Sequence, residues 1–275
     1  MLQNIRRYNT TITVFTTADL NKEIQVRLSS SSSLAKMNTL KYDDIDKTKY
    51  KEVCRINGSL YQTGPVKACG WEISDVHKQA CSRDGWYEVI QYKNGMFRVG
   101  DISVSDVNLN DIEWAYSVDA VVINNGQDVC QCASHRKQYF DQRHPRTFWG
   151  ITANGDYVFC CADGRETNEA GLLGDEVRAI LKEYGCVWGF MNDGGKCSQM
   201  MIDNKLVNDP VTGGYYEVRN ALFVYASIAD KPQNNGTSSL DQEARIHSLE
   251  VEIEQLREQV KNLETVIASI RTLVA

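Results

Sequence analysis

Apolar residues recur along most of the chain in short runs, and these runs predict a series of β-strands. The clearest are TITVF, EIQVRL, DAVVIN, RTFWGIT, YVFCCAD, CVWGFMND and ALFVYAS. One segment has a helical period instead, because LLGDEVRAILKEYG places Leu173, Val177, Ile180 and Leu181 on one face. We expect this helix to end at Gly185, since glycine readily adopts the left-handed conformation that follows a helix.

The order of three of these elements has a consequence for chemistry. YVFCCAD, the helix and CVWGFMND form a strand–helix–strand unit, and a helical crossover predicts that the two strands are parallel neighbours. Parallel neighbours end at the same edge of a sheet. We therefore expect Asp163 and Asp193 to meet in one crevice, at the edge where open α/β sheets bind ligands.

Two polar stretches interrupt the pattern. The five serines at Ser29–Ser33 predict a flexible loop, and DKPQNNGTSS at Asp230–Ser239 predicts a linker. Beyond it, apolar residues from Ile246 to Val274 recur in steps of three and four, which is the heptad seam of a coiled coil. The segment RIHSLE is typical of short parallel trimers. β-branched a sites with leucine at d favour a dimer, and a solitary amphipathic helix is the third alternative.

The predicted fold class is α+β or mixed α/β. A mixed β-sheet domain containing the strand–helix–strand unit precedes a C-terminal parallel coiled coil, for which a trimer is favoured. We divide the chain into an N-terminal strand region at 1–45 that joins the main domain, the main domain at 46–229, a linker at 230–239 and an oligomerisation segment at 240–275.

Composition narrows the functional classes. The chain has 275 residues and a net charge of −6, and without a basic stripe nucleic acid is not an expected partner. No apolar run is long enough for a membrane span, and no apolar segment follows Arg6 and Arg7, so we expect no secretory signal. A virion or the bacterial cytoplasm is then the expected location. The nine cysteines indicate reduced, buried thiols rather than a disulfide framework or a zinc site.

The candidate chemistry lies in two glycine turns and an arginine-rich segment. Asp163 begins D-G-R, Asp193 begins D-G-G, and the segment RHPRTFWG carries Arg143, His144 and Arg146. Arginines suit a phosphate, and paired carboxylates suit acid, base or nucleophilic work at an anomeric carbon. These residues indicate a substrate with both a sugar and a phosphate. The alternative is that D-G-R and D-G-G are ordinary loop turns whose charged side chains are solvated and have no functional role.

Six motifs in this order resemble those of the phosphodiester glycosidase family, over roughly residues 50 to 226. They are INGSLY at Ile56–Tyr61, Pro145–Arg146–Thr147, Asp163–Gly164–Arg165, Asp193–Gly194–Gly195, Val207–Asn208 and Val218–Leu222. The resemblance implies cleavage of a sugar-1-phosphodiester. This chain departs from the family pattern at Lys196 and Cys197, where a glycine and a serine are expected, and at Ser59 and Tyr216, where a glycine and an arginine are expected. Lys196 either adds a phosphate contact or occupies the pocket.

The paired glycine turns and the expected meeting of their strands assign catalysis to Asp163 and Asp193. Substrate binding is predicted at ten positions: Asn57, Arg146, Thr147, Arg165, Gly194, Gly195, Lys196, Ser198, Asn208 and Asn220. No cofactor is expected, although a divalent cation near Asp193 is possible. His144 is either a general acid or a surface histidine, and Trp71, Trp86 and Trp149 are expected in the core rather than on sugars.

Two functions follow from these observations. The first is an enzyme that cleaves or binds a sugar-1-phosphodiester or a surface glycan and is presented on a trimer. The second is a catalytically eroded glycan-binding or structural component of a phage virion, such as a fibre, spike or baseplate appendage. The expected partners are a sugar phosphodiester or cell-surface glycan, two further copies of the chain and, for the second function, other virion proteins.

Overall fold

The computed structural model describes residues 1–63, 66–79 and 86–231, and Met1–Lys231 form one compact unit. The strands of this part are β1 (Leu2–Arg7), β2 (Thr10–Thr16), β3 (Ile24–Lys36), β4 (Tyr50–Asn57), β5 (Tyr61–Thr63), β6 (Val66–Ala68), β7 (Glu72–Ile73), β8 (Lys78–Gln79), β9 (Tyr87–Tyr92), β10 (Phe97–Gly100), β11 (Ile112–Val118), β12 (Ala120–Asn124), β13 (Gln127–Gln131), β14 (Arg146–Thr152), β15 (Tyr157–Ala162), β16 (Cys186–Met191), β17 (Met200–Ile202), β18 (Lys205–Leu206) and β19 (Glu217–Ser227). The α-helices are α1 (Lys137–Phe140) and α2 (Gly174–Glu183). The predicted coiled coil at 240–275 and most of the predicted linker lie outside the described residues.

The strands form three larger sheets and one ribbon. Their orders are β1-β2-β15-β14-β16-β12-β13, β18-β17-β4-β19-β3 and β10-β9-β11-β7-β8, with β5 and β6 paired separately. Every pairing among the described strands is antiparallel. The expected α+β or mixed α/β fold class is therefore wrong, because the described residues form an antiparallel β-fold with two short helices.

The predicted strand–helix–strand unit needs the same correction. α2 does connect β15 to β16, but β14 lies between the two strands and pairs antiparallel with both. The strands β14 and β15 form a hairpin, and the helical crossover carries the chain over it. Since β15 and β16 are each antiparallel to β14, they run in the same direction and end at the same edge of the sheet, although they are not neighbours.

The seven-stranded sheet is buried on both faces, and this explains why the sequence pattern predicted parallel strands. One face of β15 packs Phe159 and Cys161 into the core between the sheets, and the other packs Val158 and Cys160 into a cluster with α2. A strand that is buried on both sides reads as a continuous apolar run, which is the usual signature of a parallel strand. An antiparallel strand with two covered faces gives the same pattern.

The helix itself forms as expected. α2 buries Val177, Ile180 and Leu181 against the sheet, and Gly185 follows it with a φ of +75°. Within the described residues, no helix is long and apolar enough to cross a membrane.

The serine run is the second local error. Ser29–Ser33 lie inside the thirteen-residue strand β3 and not in a loop, and Ser29 and Ser30 are buried. The strand pairs with β19 on both sides of a register shift between Val218 and Asn220. Serine carries no strong strand preference, so the long partner strand determines the conformation of this segment.

The seven-stranded sheet and the sheet that contains β4 meet at one loop junction. The backbone N–H of Asp193, after β16, donates to the Gly58 carbonyl at 3.0 Å, and the N–H of Asn57, the last residue of β4, donates to the Gln199 carbonyl at 3.3 Å. These contacts hold the loops after β4 and β16 side by side. Gly58 and the D-G-G turn that begins at Asp193 lie at this junction.

Candidate active site

A cavity of about 260 Å³ opens at the edge where β15 and β16 end and β14 begins. Its wall is formed by residues from these strand ends and from the segments around α1 and β5. They are Leu60, Tyr61, Asp119, Arg136, Tyr139, His144, Arg146, Arg165, Asp193, Gly194, Gly195, Lys196, Cys197 and Tyr216. Of the two carboxylates that the sequence predicted to act together, Asp193 lines this cavity and Asp163 does not.

Arg146 is the deepest cation of the site, since only 2% of it is exposed. Its Nε donates to the Leu172 carbonyl at 3.1 Å, and its Nη2 donates to the carbonyls of Tyr139 and Gln142. Its Nη1 lies 3.9 Å from Asp119 Oδ2. Burial lowers the pKa of Arg146 to about 10, which leaves it charged at neutral pH. Arg146 therefore joins the segment 139–142 and Leu172 to the start of β14, and its side chain forms part of the cavity wall.

Asp193 is the titratable carboxylate of the cavity. Burial raises its pKa to about 7, and the nearby charge of Asp119 adds to that rise. The Cys197 thiol, the Gly194 N–H and the charge of Arg136 act in the opposite direction. Asp119 is itself paired with Arg136, whose Nε lies 2.6 Å from Asp119 Oδ1. Asp193 can therefore take up or release a proton near neutral pH.

Arg165 reaches the cavity from an unusual backbone conformation, with a φ of +63°. Its Nη2 donates to Nδ1 of His144 at 3.1 Å. A guanidinium cannot accept, so this contact places the imidazole proton on Nε2. Burial lowers the pKa of His144 to about 4, and the neighbouring arginines act in the same direction. His144 is thus a neutral part of the wall at pH 7.

The D-G-G turn brings the backbone close to these arginines. A Cβ at Gly194 would lie 2.8 Å from the Pro145 carbonyl oxygen. Gly195 has a φ of +65°, and a Cβ there would lie 3.2 Å from the guanidinium nitrogens of Arg165. Both positions need glycine because a side chain would displace the β14 entrance or Arg165.

Lys196, the next residue, is exposed and lines the cavity. Within the described part of the chain no ion pair involves Lys196, and in particular none joins it to Asp193 or Asp163. Its ammonium group does not neutralise either carboxylate. The geometry therefore favours an added cationic contact over an occupied pocket.

Asn57 and Thr147 lie beneath the cavity wall, both at least 99% buried. Asn57 Nδ2 donates to the Asp193 carbonyl at 2.7 Å, while its Oδ1 accepts from Thr147 Oγ1 and from the Gln199 N–H. Asn192 completes the layer by donating to the Asn57 carbonyl at 2.7 Å. These side chains fix the backbone that carries Asp193, and they do not line the cavity.

Asp163 belongs to a second buried group. Its Oδ1 accepts from Asn208 Nδ2 at 3.3 Å and from the Asp209 N–H at 3.0 Å. Burial raises its pKa to about 6. Asn208 also donates to the Ser198 carbonyl and accepts from the Met200 N–H. Ser198 is buried, and its hydroxyl has no hydrogen-bond partner within the described residues. The group ties the end of β15 to the segment after the D-G-G turn.

Asn220 anchors the loop after β4. Its Oδ1 accepts from the Ser59 N–H at 2.8 Å, and its Nδ2 donates to Ser59 Oγ and to Glu72 Oε1. Glu72 is fully buried and pairs with Arg219 at 2.9 Å. A Cβ at Gly58 would lie 2.1 Å from Asn220 Oδ1, so this loop requires a glycine at position 58.

Several wall residues had no signal in the sequence. Asp119 lies between β11 and β12, and Arg136 lies in the segment before α1, so only the fold brings them to the cavity. Tyr61, Tyr139 and Tyr216 also line it. Of these, Tyr139 lies outside every quoted motif, whereas Tyr61 ends INGSLY and Tyr216 stands where the family has an arginine.

Other residues that the sequence analysis considered for the site support the structure and do not line the cavity. Arg143 pairs with Glu176 of α2 at 2.5 Å and does not line the cavity, and Trp71, Trp86 and Trp149 are buried in the core as expected. For the possible divalent cation, the described residues contain no group of three or more His, Cys, Asp or Glu side chains that could hold a metal ion.

Comparison with known proteins identifies a family for the chain and several proteins with a similar fold. The family model described as phosphodiester glycosidase matches residues 50–225, which is more than half of the chain. Over 82% of this chain and 81% of the other, the fold is similar to the catalytic domain of zebrafish N-acetylglucosamine-1-phosphodiester alpha-N-acetylglucosaminidase, auto-inhibited by its pro-peptide, with a TM-score of 0.65 and 16% identity. A hypothetical protein from Synechocystis has a TM-score of 0.58 and 13% identity, covering 82% of this chain and 61% of that one.

A shorter sequence match comes from Bacillus subtilis (strain 168). The chain is 30% identical over 67 residues to the SPbeta prophage-derived uncharacterized protein YomE. The matched segment is 24% of this chain and 10% of that protein. The chain thus spans about a tenth of the length of this relative.

Proposed function

The chain belongs to the phosphodiester glycosidase family, and from this premise we propose that it hydrolyses the bond between the anomeric carbon of a sugar and a phosphodiester. One observation carries the proposal. Asp193, whose pKa lies near 7, shares a cavity wall with the guanidinium of Arg165, which pairs with no carboxylate of the described residues. A proton-transferring carboxylate beside a free cation suits a substrate with a reacting carbon next to an anion.

The expected reaction needs a base more than an acid. Water attacks the anomeric carbon, the bond from that carbon to the phosphate oxygen breaks, and its electron pair stays on the phosphate. A phosphate is a good leaving group and requires no protonation. Asp193 in its carboxylate form takes the proton of the attacking water, and a base with a pKa near the working pH is well suited to this step. The products are the free sugar and a phosphate monoester.

In this scheme Arg165 holds the scissile phosphate, Arg146 supports the base of the cavity, and the tyrosines of the wall border the sugar. Asn57, Thr147, Asn208 and Asn220 act by holding the loops. The catalytic role predicted for Asp163 stays a prediction, and its place outside the cavity wall supports a positioning role instead. That role would be exerted through Asn208 and the backbone of Asp209.

The test is hydrolysis of an N-acetylhexosamine-1-phosphodiester, followed as release of the free sugar. Asp193→Asn keeps the shape of the side chain and removes its basicity, so kcat should fall by about 10³-fold. Asp203→Asn, at an exposed carboxylate paired with Lys51, is the matched control and should keep the wild-type rate. Equal rates for wild type and Asp193→Asn would contradict the proposal.

A second candidate function is glycan binding without turnover in a phage particle. The similarity to a prophage-derived protein supports it, as does the replacement of the expected glycine and serine by Lys196 and Cys197. If wild type and Asp193→Asn bind the phosphodiester equally in calorimetry and neither releases sugar, this second function is the better description.

A further inference from the structure

The charge of the cavity exceeds what one phosphodiester requires. Four cations line it, Arg136, Arg146, Arg165 and Lys196, against the two carboxylates Asp119 and Asp193. The pKa of His144, lowered to about 4, keeps that side chain neutral. Positive charges thus outnumber negative ones by two even when Asp193 is ionised. A phosphodiester brings a single negative charge, so a cation is left over.

The depth of these cations shows which one is in excess. Arg146 lies at the base of the cavity with 2% exposure, and Arg136 is held against Asp119 at 2.6 Å. Arg165 is also exposed, but it packs on the Gly195 backbone and donates to His144. Lys196 follows directly on the same turn and is exposed at the rim, unpaired among the described residues. The surplus positive charge is therefore that of Lys196, at the rim, where a long substrate would extend out of the cavity.

The volume supports the same reading. About 260 Å³ is below the usual range for sites that enclose a whole drug-sized ligand. A substrate longer than one sugar with its phosphate must continue past the rim. Lys196 is an exposed cation of the cavity wall and is available to that part of the substrate.

We infer that Lys196 forms a second anion subsite at the rim of the cavity, and that the substrate is a chain in which successive sugars are joined through phosphodiesters. Such a chain places a second phosphate beside every scissile bond. The inference rests on the proposed function. On this inference, the lysine that replaces the family glycine at position 196 makes the site select a substrate with several negative charges.

The test compares two synthetic compounds that share one scissile sugar-1-phosphodiester. The first continues into a second phosphodiester, and the second continues into an uncharged glycosidic linkage. At low salt, wild type should have a KM about tenfold lower for the doubly charged compound, as expected for one added charge-assisted contact. The preference should shrink as salt is added, because the rim is exposed to solvent.

Lys196→Gln should abolish the preference, and Lys205→Gln, at an exposed lysine of β18, should retain it. Two outcomes overturn the inference: wild type that does not distinguish the compounds, or Lys196→Gln that still does. An equal loss of kcat on both compounds in Lys196→Gln also overturns it, because that result places Lys196 on the leaving phosphate. If neither compound is cleaved, calorimetric affinities of the four pairs of protein and compound decide the same question, and the failure belongs to the proposed hydrolysis alone.

Discussion

The base and the rim of the cavity contain the same kinds of polar side chain in different surroundings. At the base, Arg146 is buried and its donors are taken up by three backbone carbonyls and Asp119. At the rim, Arg165 and Lys196 are exposed and keep donors for a ligand. The family motifs therefore contain two kinds of residue, those that support the structure of the site and those that are available to bind the substrate. The two arginines that looked alike in the sequence belong to different classes.

The largest expected effect that separates the classes is the loss of Arg146. Arg146→Ala leaves Asp119 without one partner and removes donors from the carbonyls of Leu172, Tyr139 and Gln142. Breaking such a buried charged network costs about 3–5 kcal/mol. The free energy of unfolding, measured in urea, should fall by this amount.

Arg165→Ala is the matched variant at the rim. Its free energy of unfolding should stay within about 0.5 kcal/mol of wild type, as for most exposed positions, while KM for the phosphodiester rises. Similar losses of stability in the two variants would remove the distinction between base and rim.

A smaller effect is expected at Asn220, which belongs to the buried layer but carries no charge. Asn220→Ala leaves the Ser59 N–H and one oxygen of Glu72 without partners, and each unsatisfied buried group costs about 1–3 kcal/mol. Thermal and urea unfolding should both show the loss. Asn154→Ala, in the exposed turn between β14 and β15, is the control and should change stability little. A stable Asn220→Ala with weakened substrate affinity would instead place Asn220 among the binding residues.

The sequence predicted local elements better than their arrangement. The seven quoted strands and α2 are all present, because apolar runs and a helical period depend on local side-chain placement. Parallel pairing of β15 and β16 was wrong, since the neighbour that separates them, β14, precedes both in the chain. The two strands still end at the same edge of the sheet, as predicted, but for a different reason. Each is antiparallel to β14, so β15 and β16 run in the same direction.

The site was predictable where a turn motif marks it. Asp193, Gly194, Gly195 and Arg165 stand in glycine turns with recognisable spacing, and all line the cavity. Asp119 and Arg136 come from segments without a motif, so their contribution depends on tertiary structure alone. No pattern in the chain distinguished the buried Asn57 from a residue that touches substrate, because burial of a polar side chain follows from its hydrogen bonds and not from its neighbours in sequence.

The smallest expected effect concerns Cys197, a buried residue of the cavity wall that contacts Asp193. The Cys197 thiol donates to the Asp193 carboxylate and lowers its pKa, while Tyr61 Oη lies 3.7 Å from the sulfur. The carboxylate form of Asp193 is the proposed base, so wild-type kcat should rise with pH through about 7.

A hydroxyl is a stronger hydrogen-bond donor than a thiol, so a serine at position 197 would stabilise the Asp193 carboxylate more than the cysteine does. Cys197→Ser should therefore move this rise to lower pH, and Cys197→Ala, which removes the donor, should move it to higher pH. Profiles of kcat against pH for the three proteins check the order, and a rise that stays at the same pH in all three would show that Cys197 only fills space in the wall.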